Sequence, residues 1–129
     1  VSSEKRPSAV NFHARSRQLE LAYGDDEKYS LSCEYLRVYS PSAEVRGHGA
    51  GQEVLQVGKA GVSISAIKPV GHYALQLVFD DGHDTGLYSW DYLYELCEQQ
   101  DARWQGYLSR LDKAGKSRDP DVQVIQFEP

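Results

Sequence analysis

Apolar and polar positions alternate along the first part of the chain. Val10 and Phe12, then Leu19, Leu21 and Tyr23, are separated by polar neighbours, which is the period of a half-buried strand. The polar break at residues 13–18 predicts a hairpin turn, and residues 24–28 a second turn. Tyr29, Leu31 and Cys33 then alternate as a third strand. From Ser32 the period changes. Ser32 can cap a short helix with Tyr35, Leu36 and Tyr39 on one face, and Pro41 stops it. Residues 40–59 carry Gly47, Gly49, Gly51 and Gly58 and little pattern, so a long flexible loop is expected, with a small element around Val54-Leu55. A loop of that length in a compact domain is functional or disordered.

Beyond it, residues 62–67 alternate again and Pro69-Val70-Gly71 predicts a turn. Residues 73–79 form a nearly continuous apolar run, the mark of a central strand. Asp81-Gly82 predicts a hairpin turn, with Leu87 and Tyr88 on the returning strand. Ser89 can cap one long helix ending at Ala114-Gly115, with Trp90, Leu93, Cys97, Trp104, Leu108 and Leu111 on one stripe. The fold class expected is α+β: a small, mostly antiparallel β-sheet domain with a short helix and one long C-terminal packing helix. Residues 9–113 are the expected domain, residues 1–8 a flexible tail, and residues 114–129 a flexible or extended tail.

The 129 residues suit one domain, and 40% hydrophobic content supplies a core of ordinary size. A net charge of −5 argues against nucleic acid or an anionic membrane as partner, since phosphate binding needs a basic footprint. Cys33 and Cys97 lie in apolar patterns and read as reduced core thiols rather than a disulfide framework. With no signal pattern and no long apolar stretch, a cytoplasmic location is expected.

Catalytic patterns are scarce. An iron dioxygenase centre needs a His-x-Asp/Glu pair and a distant His. His13, His48, His72 and His83 are followed two places on by Arg15, Ala50, Ala74 and Thr85, and none fits. The glycines at 47–51 lack the spacing and the Lys-Ser/Thr of a phosphate loop, although Arg37, Arg46 and His48 could bind an anion there. Neither cysteine has an obvious cationic neighbour to activate it. Tyr92 and Glu95 lie off the apolar stripe and are expected on a contact surface, while Trp90 is divided between core and contact.

Four pieces occur in a fixed order: Leu36-Arg37; Ser40-Pro41-Ser42-Ala43-Glu44-Val45; Pro69-Val70-Gly71-His72-Tyr73-Ala74; and Asp81-Gly82-His83 running on to Tyr88-Ser89-Trp90. This ordered set resembles the gamma-butyrobetaine hydroxylase N-terminal-like domain, over roughly residues 9–113. The resemblance implies a domain that precedes a dioxygenase barrel, is attached to iron–sulfur carrier ATPases, or stands alone. It also implies a structural zinc held by a Cys-x-Cys-x-x-Cys cluster and a later histidine. The matching positions here are Ser40, Ser42, Val45 and His83. Two hydroxyls, one isopropyl group and one imidazole do not make a zinc site, so no metal or other cofactor is expected.

His83, among Asp80, Asp81 and Asp84, then has three readings: a metal or acid–base centre, a hairpin tip whose polar groups satisfy their own turn, or a residue bonded into the former metal position that orders the loop after Ser40. The hairpin tip is favoured. The functional expectation is a non-enzymatic protein-interaction or adaptor module with an unidentified protein partner, linked to oxygenase or iron–sulfur metabolism. The alternative is a metal- or small-anion-binding module centred on His83. Residues expected to contact ligand or partner are Arg37, Arg46, His48, Asp81, His83, Trp90 and Tyr92.

Overall fold

The structure, a computed structural model, describes residues 5–47, 51 and 53–122. It is an α+β fold of two three-stranded antiparallel meanders and four helices. The first sheet holds β1 (Ala9–His13), β2 (Gln18–Tyr23) and β3 (Glu27–Ser32), with β2 in the centre. Leu19 sits opposite Leu31 and Leu21 opposite Tyr29, so the alternation in the sequence puts one face of the sheet in the core. Helix α1 (Cys33–Val38) follows directly, and Ser32 caps it by accepting from the Tyr35 N–H at 3.0 Å.

The second sheet holds β4 (Ile64–Val70), β5 (Ala74–Phe79) and β6 (Leu87–Ser89), in that order. The apolar run is the central strand, as its composition requires. Pro69, expected in a turn, lies inside β4. It is tolerated because β4 is an edge strand with one side free of ladder bonds. Both sheets, α1 and the following helix α3 (Trp90–Glu98) share one core that includes Leu19, Leu31, Tyr35, Leu77, Leu93 and Leu96.

The long helix expected from Ser89 is two. Ser89 does cap α3, accepting from the Tyr92 N–H, but α3 stops at Gln99 and α4 (Gln100–Ala114) starts after it. The residues around the break, Glu98-Gln99-Gln100-Asp101, have no apolar side chain to bury, so nothing holds the helix straight there. The bend lets α4 bury Tyr107 and Leu111 against Val38 in a second, smaller cluster. Gly115, in the left-handed region, ends α4.

The expected loop from 40 to 59 contains a further helical turn, α2 (Ala43–Arg46), capped by Ser42 with Val45 buried beneath it. Val54 and Leu55 form no regular element; the Val54 N–H donates to the Val45 carbonyl at 2.7 Å. Both tails make contacts where they are described. Lys5 pairs with Glu27, and the Gly58 and Ala60 N–H groups donate to the carbonyls of Ser117 and Arg118. The extended stretch expected after Val122 lies outside the described residues.

Buried and half-buried tyrosines tie the elements together. The hydroxyls of Tyr35, Tyr39, Tyr88, Tyr92 and Tyr107 donate to the main-chain carbonyls of Leu96, Arg103, Leu36, Tyr39 and Gln56. A second tie is ionic. Glu34, on α1 and 6% exposed, accepts two hydrogen bonds from Arg118 at 2.6 and 2.7 Å, and the same guanidinium lies over Trp104. Removing Arg118 strands that carboxylate in the core, so Arg118→Leu should lower the unfolding free energy by up to about 3–5 kcal/mol in denaturant titrations. The double substitution Glu34→Leu with Arg118→Leu should lose less than Arg118→Leu alone. Equal losses would show that the pair contributes only through packing.

Candidate functional site

The four positions singled out by the family resemblance meet at one place. The exit of α1 carries Ser40 and Ser42, α2 carries Val45, and the turn after β5 carries His83. His83 is not an exposed hairpin tip: it is 5% exposed. Its Nε2 lies 2.8 Å from Ser40 Oγ and its Nδ1 lies 3.1 Å from Glu44 Oε2. Burial, the first cause, and the nearby Arg37 charge hold the imidazole below its ordinary pKa, against the pull of Glu44. The ring is therefore neutral at pH 7. The consistent arrangement has Nδ1–H donating to Glu44 and Ser40 Oγ–H donating to Nε2, while the Ser42 N–H donates to Ser40 Oγ at 3.2 Å. Ser42 Oγ shares a hydrogen bond with Thr85 Oγ1 at 2.6 Å. The favoured hairpin-tip reading thus gives way to the third one: His83 bonds across to residues 40–44 and orders them.

These donors do not fit a thiolate-ligated zinc. Both hydroxyls are neutral and hydrogen-bonded, Val45 has no donor, and both ring nitrogens of His83 are engaged. Among the described residues no three His, Cys, Asp or Glu side chains form a metal-binding group.

Gly86 is a residue that sequence reasoning passed over. A Cβ built there would come within 2.5 Å of Ser40 Oγ. The backbone approaches so closely that only glycine lets Ser40 reach His83. The available signal was a glycine just before a strand, which often marks close backbone approach. Glu44 and Thr85 were likewise not expected, because their partners lie about forty positions away.

Beside this cluster, Asp81 accepts from Arg37 Nε at 2.9 Å and from Lys59 Nζ at 2.7 Å, and its other oxygen accepts from the His83 N–H at 3.1 Å. Burial raises the Asp81 pKa, but Lys59, the His83 N–H and Arg37 together outweigh it and bring the carboxyl down to about 2. Arg37, expected to meet a ligand, is itself buried and divides its donors between Asp81 and Gln56. Arg46 lines the cleft described below, and His48 lies outside the described residues. The cysteines are free and buried, and burial pushes the Cys33 thiol up and the Cys97 thiol up to about 12. Neither is a ready nucleophile.

The other expected contact residues gather elsewhere. A cleft of about 790 Å³ opens between the α2 segment and the α3–α4 pair, lined by Val45, Val54, Tyr107 and the arginines Arg46, Arg103 and Arg110. Tyr92 forms part of its wall; its hydroxyl is spent on the Tyr39 carbonyl and its ring carries Arg46 at 4.7 Å. Glu95 pairs with Arg103 at 2.6 Å. Trp90 is half-buried against the main core and donates from Nε1 to the His72 carbonyl at 2.7 Å, away from this cleft.

Two measurements test the His83 cluster. A histidine whose folded pKa is depressed is fully compatible with the fold above its unfolded pKa of about 6.5, and its protonation opposes folding as the pH falls. Stability should therefore decline from pH 7 to pH 5, and His83→Gln should flatten that limb. Asp81 adds a second decline below about pH 4, where the unfolded carboxylate takes up its proton first. Gly86→Ala should separate Ser40 from His83 and lower the melting temperature, whereas Gly82→Ala, with open space around the new Cβ, should act only through its positive φ. An unchanged Gly86→Ala protein would contradict the close approach.

The comparisons with known proteins agree with the fold. No curated protein matches the chain. One NMR solution structure is 53% identical, covers 97% of this chain and 98% of its own, and superposes with a TM-score of 0.83. A second is 48% identical, with 99% and 96% coverage and a TM-score of 0.78. A crystal structure of a protein of unknown function from Acidithiobacillus ferrooxidans, of the DUF971 family, is 35% identical over 74% of this chain and 97% of that one, with a TM-score of 0.60. The family model described as gamma-butyrobetaine hydroxylase-like, N-terminal, matches residues 10–94, a span that holds both the His83 cluster and Tyr92. The chain belongs to the gamma-butyrobetaine hydroxylase-like N-terminal family.

Proposed function

We propose that this domain is a non-catalytic protein-interaction module whose partner docks in the cleft between α2 and the α3–α4 pair. One contrast carries the reading. At the His83 position the imidazole, Ser40 and Arg37 are buried, and the polar groups around them are spent on one another. In the cleft, Arg46 and Arg110 have no carboxylate partner among the described residues. On this reading His83, Ser40, Ser42 and Val45 are a metal site whose ligands have been replaced. Hydrogen bonds and packing hold residues 40–45 where a metal would otherwise do so. The absence of an activated thiol supports a binding role over a catalytic one. A metal- or anion-binding role centred on His83 has less support, because both ring nitrogens already have partners. The family's description refers to a hydroxylase, so proteins of oxygenase or iron–sulfur metabolism are the first partners to test.

Filling the cleft without changing its charge provides the test. Val54 lines it and is 53% exposed, so Val54→Trp should block it while leaving the core alone. Affinity capture from the cell of origin should recover a stoichiometric partner with the wild type and with Lys68→Glu on the exposed side of β4, and lose it with Val54→Trp. A partner retained equally by all three proteins, or no partner at all, overturns the proposal.

A further inference from the structure

The inward face of the first sheet ends in a charge. Glu27, Tyr29 and Leu31 alternate on the packed side of β3, as Leu19, Leu21 and Tyr23 do on β2, and Tyr23 lies opposite Glu27. Helix α3 brings Tyr94 against them. The three rings meet edge to face, with centres 4.9 Å apart for Tyr23 and Tyr94, 6.0 Å for Tyr23 and Tyr29, and 6.1 Å for Tyr29 and Tyr94. The Tyr29 and Tyr94 hydroxyls donate to the same Glu27 oxygen, Oε2, at 2.6 and 2.5 Å. Oε1 is left to accept from another donor.

Lys5 supplies it. Its Nζ lies 3.2 Å from Glu27 Oε1, 4.9 Å from the centre of the Tyr94 ring and 5.9 Å from that of Tyr23. The rings attract the ammonium through their quadrupoles while the carboxylate takes one of its N–H groups. Hydrogen bonds from Tyr29 and Tyr94, joined by Lys5, outweigh burial and bring the Glu27 carboxyl down to about 2, so it is ionised at neutral pH. Glu98, which also acts on Tyr94, adds a second negative charge, so the cluster draws cations.

Receiver and occupant are held very differently. The receiving groups sit on two paired strands and a helix and are hydrogen-bonded to one another. Lys5 lies outside every regular element: β1 begins at Ala9, and the Ser8 N–H makes the first sheet-like bond, to the Ala22 carbonyl at 2.7 Å. The Lys5 side chain is 47% exposed, and an exposed ion pair is a weak tie. The ammonium can leave without breaking any strand pairing, and a built receptor stays behind.

We propose that Tyr23, Tyr29, Tyr94 and Glu27 form a binding site for a primary alkylammonium group, either a lysine side chain of another protein or a free amine, and that Lys5 is its displaceable internal occupant. The site shares no residue with the cleft between α2 and the α3–α4 pair, so it stands apart from the interaction-module reading.

The probe is n-butylammonium chloride, titrated while the ring protons of Tyr23, Tyr29 and Tyr94 are followed by NMR. Sodium chloride and n-butanol are the controls for ionic strength and for the alkyl chain. Lys5→Ala should give saturable shifts that neither control produces. In the wild type Lys5 competes as a tethered ligand at an effective concentration on the order of millimolar, so roughly threefold or more of the probe should be needed for the same shift. In the Lys5→Ala background, Glu27→Gln should weaken binding roughly tenfold, the scale of a charge-assisted hydrogen bond. Tyr94→Leu removes a ring while keeping the carboxylate, and should give a second, separate loss. Nα-acetyl-lysine N-methylamide tells the two sources apart. Binding at least as tight as that of n-butylammonium assigns the site to a lysine side chain, and weaker binding assigns it to a free amine.

Shifts no larger than sodium chloride produces, equal shifts from n-butanol, or equal affinity in the wild type and Lys5→Ala would overturn the proposal and leave Lys5 as a structural staple. So would binding unaltered by both Glu27→Gln and Tyr94→Leu.

Discussion

A helix of six residues that is buried at every position cannot satisfy its own polar groups, and much of this structure follows from that constraint. Helix α1 is such a helix, from Cys33 to Val38. Its last carbonyls have no intrahelical donors, and it carries Glu34 and Arg37 into the interior. Each of these groups draws in a different part of the chain. Glu34 takes Arg118 from beyond α4, Arg37 takes Asp81 from the turn after β5 and Gln56 from the long loop, and the Leu36 carbonyl takes the Tyr88 hydroxyl from β6. The elements surround α1 because its unsatisfied groups would otherwise be costly.

The same logic explains the closed His83 position. A metal cross-links a loop by gathering several ligands at one point, and its donors must then be ionised or carry lone pairs aimed at it. The cross-link here is a relay of neutral donors that ends on a carboxylate: Ser42 N–H to Ser40, Ser40 to His83, and His83 to Glu44. Each donor in it meets one acceptor, which leaves the imidazole neutral and the relay complete. Gly86 is part of this device although it contributes no polar atom, since its missing side chain is the space through which Ser40 reaches the ring.

What could be read from the sequence was local. The first meander and β4 follow from alternation and β5 from its apolar run, and Ser32 and Ser89 cap helices where their spacing says they should. Ser42 obeyed the same rule, but the glycines around it hid a helical turn too short to show a period. The division at Gln99 was missed because the apolar stripe resumes beyond it, so periodicity alone does not reveal that α4 serves a different cluster. Glu34–Arg118 is separated by 84 positions and Ser40–His83 by 43, and no spacing rule reaches that far. Of the arginines and tyrosines that stack beside the cleft, Arg46 and Tyr92 were singled out, one as an anion ligand and the other as a contact residue. Arg103, Arg110 and Tyr39 became partners only once α4 turned back across the exit of α1.

The tyrosine ties have a consequence for how this fold can vary. All five of those hydroxyls end on main-chain oxygens, not on side chains. A main-chain acceptor is present whatever residue occupies the position, so Leu36, Leu96 or Gln56 can be exchanged without deleting the acceptor, whereas the tyrosine cannot. The dependence is one-sided. On the accepting side of each tie the hydrogen bond sets no side-chain requirement and packing alone limits exchange, as at the core residues Leu36 and Leu96, while the donor phenol has to stay in place.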